Sequence, residues 1–75
     1  MTAEAVSACC RGEIPADALD TRDRETVVAR LHAAGLTDTE IAEATRLTTY
    51  TTGRIRARLG LAAHERKRAH ALVRR

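Results

Sequence analysis

Hydroxyl and guanidinium groups crowd one short stretch of this chain: Thr48, Thr49, Tyr50, Arg54, Arg56 and Arg58, with Gly53 among them. A guanidinium is a planar fork of donors that matches a phosphate, and it matches the major-groove edge of guanine bidentately. Hydroxyls can join either contact. The chemistry such a set supports is recognition, because nothing near it activates a nucleophile. No Ser-His-Asp grouping, glycine-rich phosphate loop or paired catalytic carboxylates stand out, so the chain is not expected to be an enzyme. Cys9, Cys10, His32, His64 and His70 include enough ligands for a metal. Their spacing matches no paired-ligand motif, so neither a metal nor another cofactor is expected.

The charge distribution points the same way. Residues 1–44 hold four Arg against nine Asp or Glu, 4 − 9 = −5. Residues 45–75 hold eight Arg and one Lys against Glu65, 9 − 1 = +8. The net +3 therefore conceals a steep gradient whose positive half contains the donor-rich stretch. A polyanion suits that half, and nucleic acid is the commonest one.

Helices must position these groups. The 75 residues include no Trp or Phe and a single Tyr, so any core is built from Leu, Ile, Val and Ala in one small domain. Thr2 to Cys10 can form a short helix that Gly12 and Pro15 break. Arg11 to Asp20 reads as a connector with Ile14 and Leu19 as anchors. Val27, Val28, Leu31 and Ala34 form one stripe, which predicts an amphipathic helix over 22–34. Asp20 or Thr21 can cap it, and Gly35 can end it. Thr37-Asp38-Thr39-Glu40 fits a capping box and starts a second, short helix. Thr48 caps a third over 49–59, closed by Gly60, and a fourth stretch from Ala62 to Val73 carries Arg66, Lys67 and Arg68. Cys9 and Cys10 are adjacent and cannot bridge each other without strain. They read as two reduced thiols in a helix or frayed segment, so replacing both with Ser is expected to leave folding nearly unchanged.

The order Ile41-Ala42, Leu47-Thr48, Ile55 and Leu59 resembles the helix-turn-helix family. The likeness is to the three-helix, homeodomain-like type of many small bacterial regulators, resolvase tails and sigma-factor domains. It covers 22–61, with the motif itself between Thr37 and Leu59. Ala42 is small where two helices cross, and Ile41 and Leu47 fill the angle between them. Two positions depart from the family's habit. Arg46 stands where the turn usually has Gly, at a cost of ~1 kcal/mol if left-handed. Thr52 replaces an inward aliphatic and can bond back to a carbonyl.

With Thr52, Ile55 and Leu59 inward, a rotation of about 100° per residue places Thr49, Tyr50, Gly53, Arg54 and Ala57 outward. Arg56 and Arg58 fall on the two flanks, as phosphate contacts. Thr37, Arg46, Arg66, Lys67 and Arg68 are further candidates for phosphate contact. The resemblance implies an all-α fold: a three-helix helix-turn-helix domain over 21–61, an acidic N-terminal extension over 1–20 and a basic C-terminal helix over 62–75. It implies sequence-specific binding of double-stranded DNA in transcriptional regulation. A single module of this size touches little DNA, so a homodimer or a larger regulatory partner is expected. The alternative is a protein-interaction module that docks on RNA polymerase, a sigma factor or another regulator. No apolar run approaches the ~18 residues that span a bilayer, and no signal-peptide pattern is present. A cytoplasmic location, away from membranes, is therefore expected.

Overall fold

The computed structural model describes residues 2–64. It is all-helical among those residues: α1 (Thr2–Cys10), α2 (Thr21–Ala33), α3 (Asp38–Thr45) and α4 (Thr49–Arg58), with a 3-10 turn at Ala16–Ala18. The helix starts lie where the capping chemistry predicts. Asp20 Oδ1 accepts the Asp23 N–H at 2.8 Å. Thr37 Oγ1 accepts the Glu40 N–H at 3.2 Å while Glu40 Oε1 takes the Thr37 N–H at 2.9 Å. Thr48 Oγ1 accepts the Thr51 N–H at 3.0 Å. Each cap satisfies a donor that the helix itself leaves free, and losing one costs ~1 kcal/mol.

The helix ends are equally local. Gly35 sits at φ 95°, its N–H bonded to His32 O and the next N–H, of Leu36, to Leu31 O. Gly60 repeats this at φ 77°, with Leu61 N–H reaching back to Arg56 O. Both need the left-handed backbone that a Cβ disfavours. Arg46 takes that same conformation between α3 and α4, at φ 64° and ψ 23°. An arginine there carries roughly 1 kcal/mol of strain.

The core joins Val27, Val28 and Leu31 of α2 to Ile41 of α3 and Ile55 of α4. Leu47, Leu59 and Leu36 pack around them half-buried. Ala42 is buried as well.

α1 belongs to this core, which corrects the reading of residues 1–20 as an extension. Val6 and Cys9 are buried in the same cluster, and Ala16 and Leu19 of the connector join them. Cys9 is fully enclosed, and that burial pushes its thiol pKa up, with the neighbouring Cys10 thiol adding to the shift. It therefore stays a neutral, apolar side chain. A serine at that position would bury a hydroxyl in an apolar setting, so the double replacement is now expected to lower stability rather than leave it unchanged.

Two threonines share the core. Thr45 Oγ1 donates to Ile41 O at 2.7 Å and is satisfied. Thr52 is as deeply buried, but its Oγ1 has no hydrogen-bond partner. The back-bond expected of it is made by Thr45 instead. A buried hydroxyl without a partner costs about 1–3 kcal/mol. Thr52→Val keeps the shape and removes that cost, so it should raise stability by about 1 kcal/mol, or roughly 4–8 °C in Tm for a domain of this size. A thermal melt followed by circular dichroism measures it, and a lower Tm would mean that the hydroxyl has a partner after all.

The helix expected from Ala62 does not begin there. Ala62, Ala63 and His64 are non-helical, and the chain turns back onto α2. His32 Nε2 donates to Ala62 O, His64 Nε2 donates to His32 O at 2.9 Å, and the two rings stack at 4.1 Å. The rest of that stretch, with the phosphate candidates Arg66, Lys67 and Arg68, lies outside the described residues.

Candidate nucleic-acid interface

One side of α4 is held by the core through Thr52 and Ile55. This fixes the opposite side as a surface. Thr49, Tyr50, Arg54 and Ala57 are exposed on it, and Gly53 is half-buried between them. Tyr50 is the exposed large apolar residue among the described ones, at 73 %. The Arg54 guanidinium carbon lies 5.8 Å from the centre of its ring, within cation–π range. No carboxylate among the described residues pairs with Arg54. A ring and a planar cation, one turn apart and open to solvent, make a flat donor-bearing platform.

Gly53 adds to that platform by what it lacks. Its φ is not in the left-handed region, and a Cβ there would meet only Asp38 Oδ2 at 3.4 Å and Arg56 Nη2 at 3.7 Å. Both are ordinary contacts with side-chain ends. Neither the backbone nor the interior requires glycine, although a mid-helix glycine costs roughly 1 kcal/mol against alanine.

The two flanking arginines differ. Arg56 Nε donates to both Asp38 oxygens, at 2.8 and 3.1 Å, and its Nη1 donates to Leu61 O at 2.8 Å. The pair is mostly enclosed, with 18 % and 20 % of the two side chains exposed. This guanidinium ties the start of α3 to α4 and to the segment after it. It is a positioning group, which corrects its assignment as a free phosphate contact. Breaking a partly buried pair leaves an uncompensated charge. Arg58 bonds Glu25 at 3.1 Å, but 54 % of its side chain is exposed. Such a pair contributes little and can exchange for another anion.

The other predicted positions are scattered. Thr48 is exposed at the N-terminus of α4, and its hydroxyl donates to Thr51 Oγ1 at 3.0 Å. Thr37 uses its hydroxyl in the capping box. Arg46 is exposed in the turn, with Nη2 3.5 Å from Gly12 O. Thr48, Thr49, Tyr50, Gly53, Arg54 and Arg58 thus share the α4 region, whereas Thr37 and Arg46 stand at the ends of α3.

The sequence reading missed Arg24. It lies with Thr21, Tyr50, Thr51, Arg54, Ile55 and Arg58 around a cavity of about 250 Å3 between the start of α2 and α4. Its Nε donates to Leu19 O at 3.2 Å. A signal was present: Arg24, Val28 and Leu31 stand at i, i+4 and i+7, so a charge occupies the core-facing stripe one turn before it becomes apolar. Long side chains bury their stems in such places and extend the charged end past the edge.

Among the described residues, no three His, Cys, Asp or Glu side chains gather as a metal site, and no helix is long and apolar enough to cross a membrane. Comparisons with family profiles, curated proteins and solved structures return no match.

Proposed function

We propose that this protein binds double-stranded DNA sequence-specifically and acts in transcriptional regulation, with α3, the Arg46 turn and α4 serving as a helix-turn-helix. The observation that carries the reading is the outward face of α4. Tyr50 and Arg54, which no carboxylate among the described residues pairs, stand exposed beside a glycine that neither backbone nor core requires. A helix with that face fits the major groove: Gly53 and Ala57 admit close approach, and Arg54 reaches a guanine edge. Thr48, Thr49 and Arg58 contact phosphates or adjacent bases, which sets register rather than sequence. Arg56, bound to Asp38, holds α4 at its angle to α3. A homodimer, or a larger regulatory partner, supplies the additional contact area that high specificity needs.

Selecting bound fragments from random duplex DNA and then testing Arg54→Ala decides the matter. The variant should lose about 1–3 kcal/mol of discrimination, roughly 5- to 150-fold, while keeping weak binding to any duplex. Equal affinity of parent and variant for the selected site would remove Arg54 from the reading face. No selection of any duplex would favour the interaction-module alternative, docking on RNA polymerase, a sigma factor or another regulator.

A further inference from the structure

The cavity between the start of α2 and α4 gathers positive charge from parts of the chain that sequence keeps apart. Arg24 comes from the acidic half, and Arg54 and Arg58 come from the basic half, one helical turn apart on α4. Tyr50, Thr51 and Thr21, the first residue of α2, line it as well, and the Thr51 hydroxyl accepts a bond from Thr48 Oγ1. Among the described residues no carboxylate lines the cavity, although Glu25 pairs with Arg58.

Three acids, Asp20, Asp23 and Glu25, belong to the same end of α2. Asp20 Oδ1 accepts the Asp23 N–H within the first turn of α2. Glu25 holds Arg58 through one bond to Nε. Arg24 is fixed through Nε by the Leu19 carbonyl, and Arg54 leans on the Tyr50 ring. Each guanidinium is therefore steadied by one contact that leaves other N–H groups of the fork for a ligand.

Three arginines, of which Arg58 alone is paired with a carboxylate among the described residues, and through Nε only, match the donor demand of one phosphate group. The positive end of the α2 macrodipole lies at the same place. A volume of about 250 Å3 is many times the ~10–15 Å3 that one water needs on the same measure, so a polyatomic anion is not excluded by size.

We infer that this cavity is a phosphate-binding site in which Arg24 of α2 acts with Arg54 and Arg58 of α4. The site extends the proposed DNA-reading surface by one residue from outside it, and that extension rests on the DNA reading. The same chemistry serves a phosphate of the DNA backbone or a small phosphate ester that competes with DNA for Arg54.

The test uses the full chain. Heteronuclear NMR follows the amides of Thr21 and Thr51 and the arginine side-chain Nε–H signals during titration with inorganic phosphate, against chloride at matched ionic strength. Saturable shifts at these positions are expected, weakened about tenfold or more in Arg24→Gln and partly restored in Arg24→Lys. If Arg24→Gln does not fold, Arg54→Gln, changed at an exposed side chain, serves in its place. Linear, unsaturable shifts, or equal saturation in parent and variant, would overturn the site.

A second arm measures duplex binding against salt. A slope shallower by about 1 in Arg24→Gln assigns the site to a backbone phosphate. An unchanged slope with saturable phosphate binding assigns it to a free phosphate ester. Should no duplex bind at all, the phosphate arm still decides the site, so failure of the DNA reading and failure of this one remain separate results.

Discussion

Raising the salt from about 50 mM to about 200 mM should weaken duplex binding by roughly 500-fold, if about five phosphates are neutralised. Each neutralised phosphate releases condensed counterions, so log K should fall against log salt with a slope of roughly −4 to −5. Under the proposed DNA reading, the cations that contribute are those free to meet a phosphate. Arg46 and Arg54 are exposed and pair with no carboxylate among the described residues, and Arg58 can leave Glu25. Arg24 stands in the cavity beside them. Arg56 is excluded, because releasing it would strand Asp38 and free the Leu61 carbonyl. A fifth contact would come from residues 65–75, where Arg66, Lys67 and Arg68 lie. Fluorescence anisotropy of a labelled duplex at several salt concentrations gives the slope. A value near zero would mean that the basic half meets something other than a polyanion.

The parts of this protein that were legible in sequence are those fixed by near neighbours. The Thr37–Glu40 capping box is a matter of four residues, and it forms as written. The α2 stripe is buried at Val27, Val28 and Leu31 because helical spacing puts those residues on one side, whereas Ala34, its fourth member, lies at the helix end and is exposed. The inward face of α4 follows from Thr52 and Ile55 in the same way, and with it the exposure of Tyr50 and Arg54. Even the left-handed Arg46 could be expected, since the turn needs that conformation whichever residue occupies it.

Contacts across the fold were not legible. The spacing of Arg56 puts it on a flank of α4, where a phosphate contact is the natural expectation. Only the crossing of α3 over α4 brings Asp38, eighteen positions away, within reach. The missing partner of Thr52 Oγ1 likewise depends on which carbonyls the neighbouring helices present. The role of α1 was hidden for a different reason. Its nine residues, TAEAVSACC, carry a single large aliphatic, and a helix that short shows no clear period. Cys9 was weighed for its sulfur chemistry, whereas in the fold it acts as a small apolar side chain.

Deleting residues 1–12 should therefore abolish cooperative folding. Val6, 3 % exposed, and Cys9, fully buried, close the core over Val27 and Val28, both of which are fully buried. Full burial of a valine contributes about 1.5–3 kcal/mol, and removing α1 also exposes the α2 residues that it covers. The combined loss approaches the ~5 kcal/mol at the lower end of domain stability, where small chains belong. Isolated helices of eight to thirteen residues do not persist in water without packing, so α2, α3 and α4 should not survive as a set. The expected result is a broad, weak circular-dichroism signal without a melting transition. A three-helix domain with a dispensable extension makes the opposite prediction, a sharp melt with duplex binding retained. Val6→Ala in the full chain gives the graded form of the same test. It removes two methyl groups from the enclosed side of α1 and should cost about 2 kcal/mol, from lost transfer energy together with the cavity left behind. A variant that melts with its parent would show that α2 buries Val27 and Val28 without help from α1.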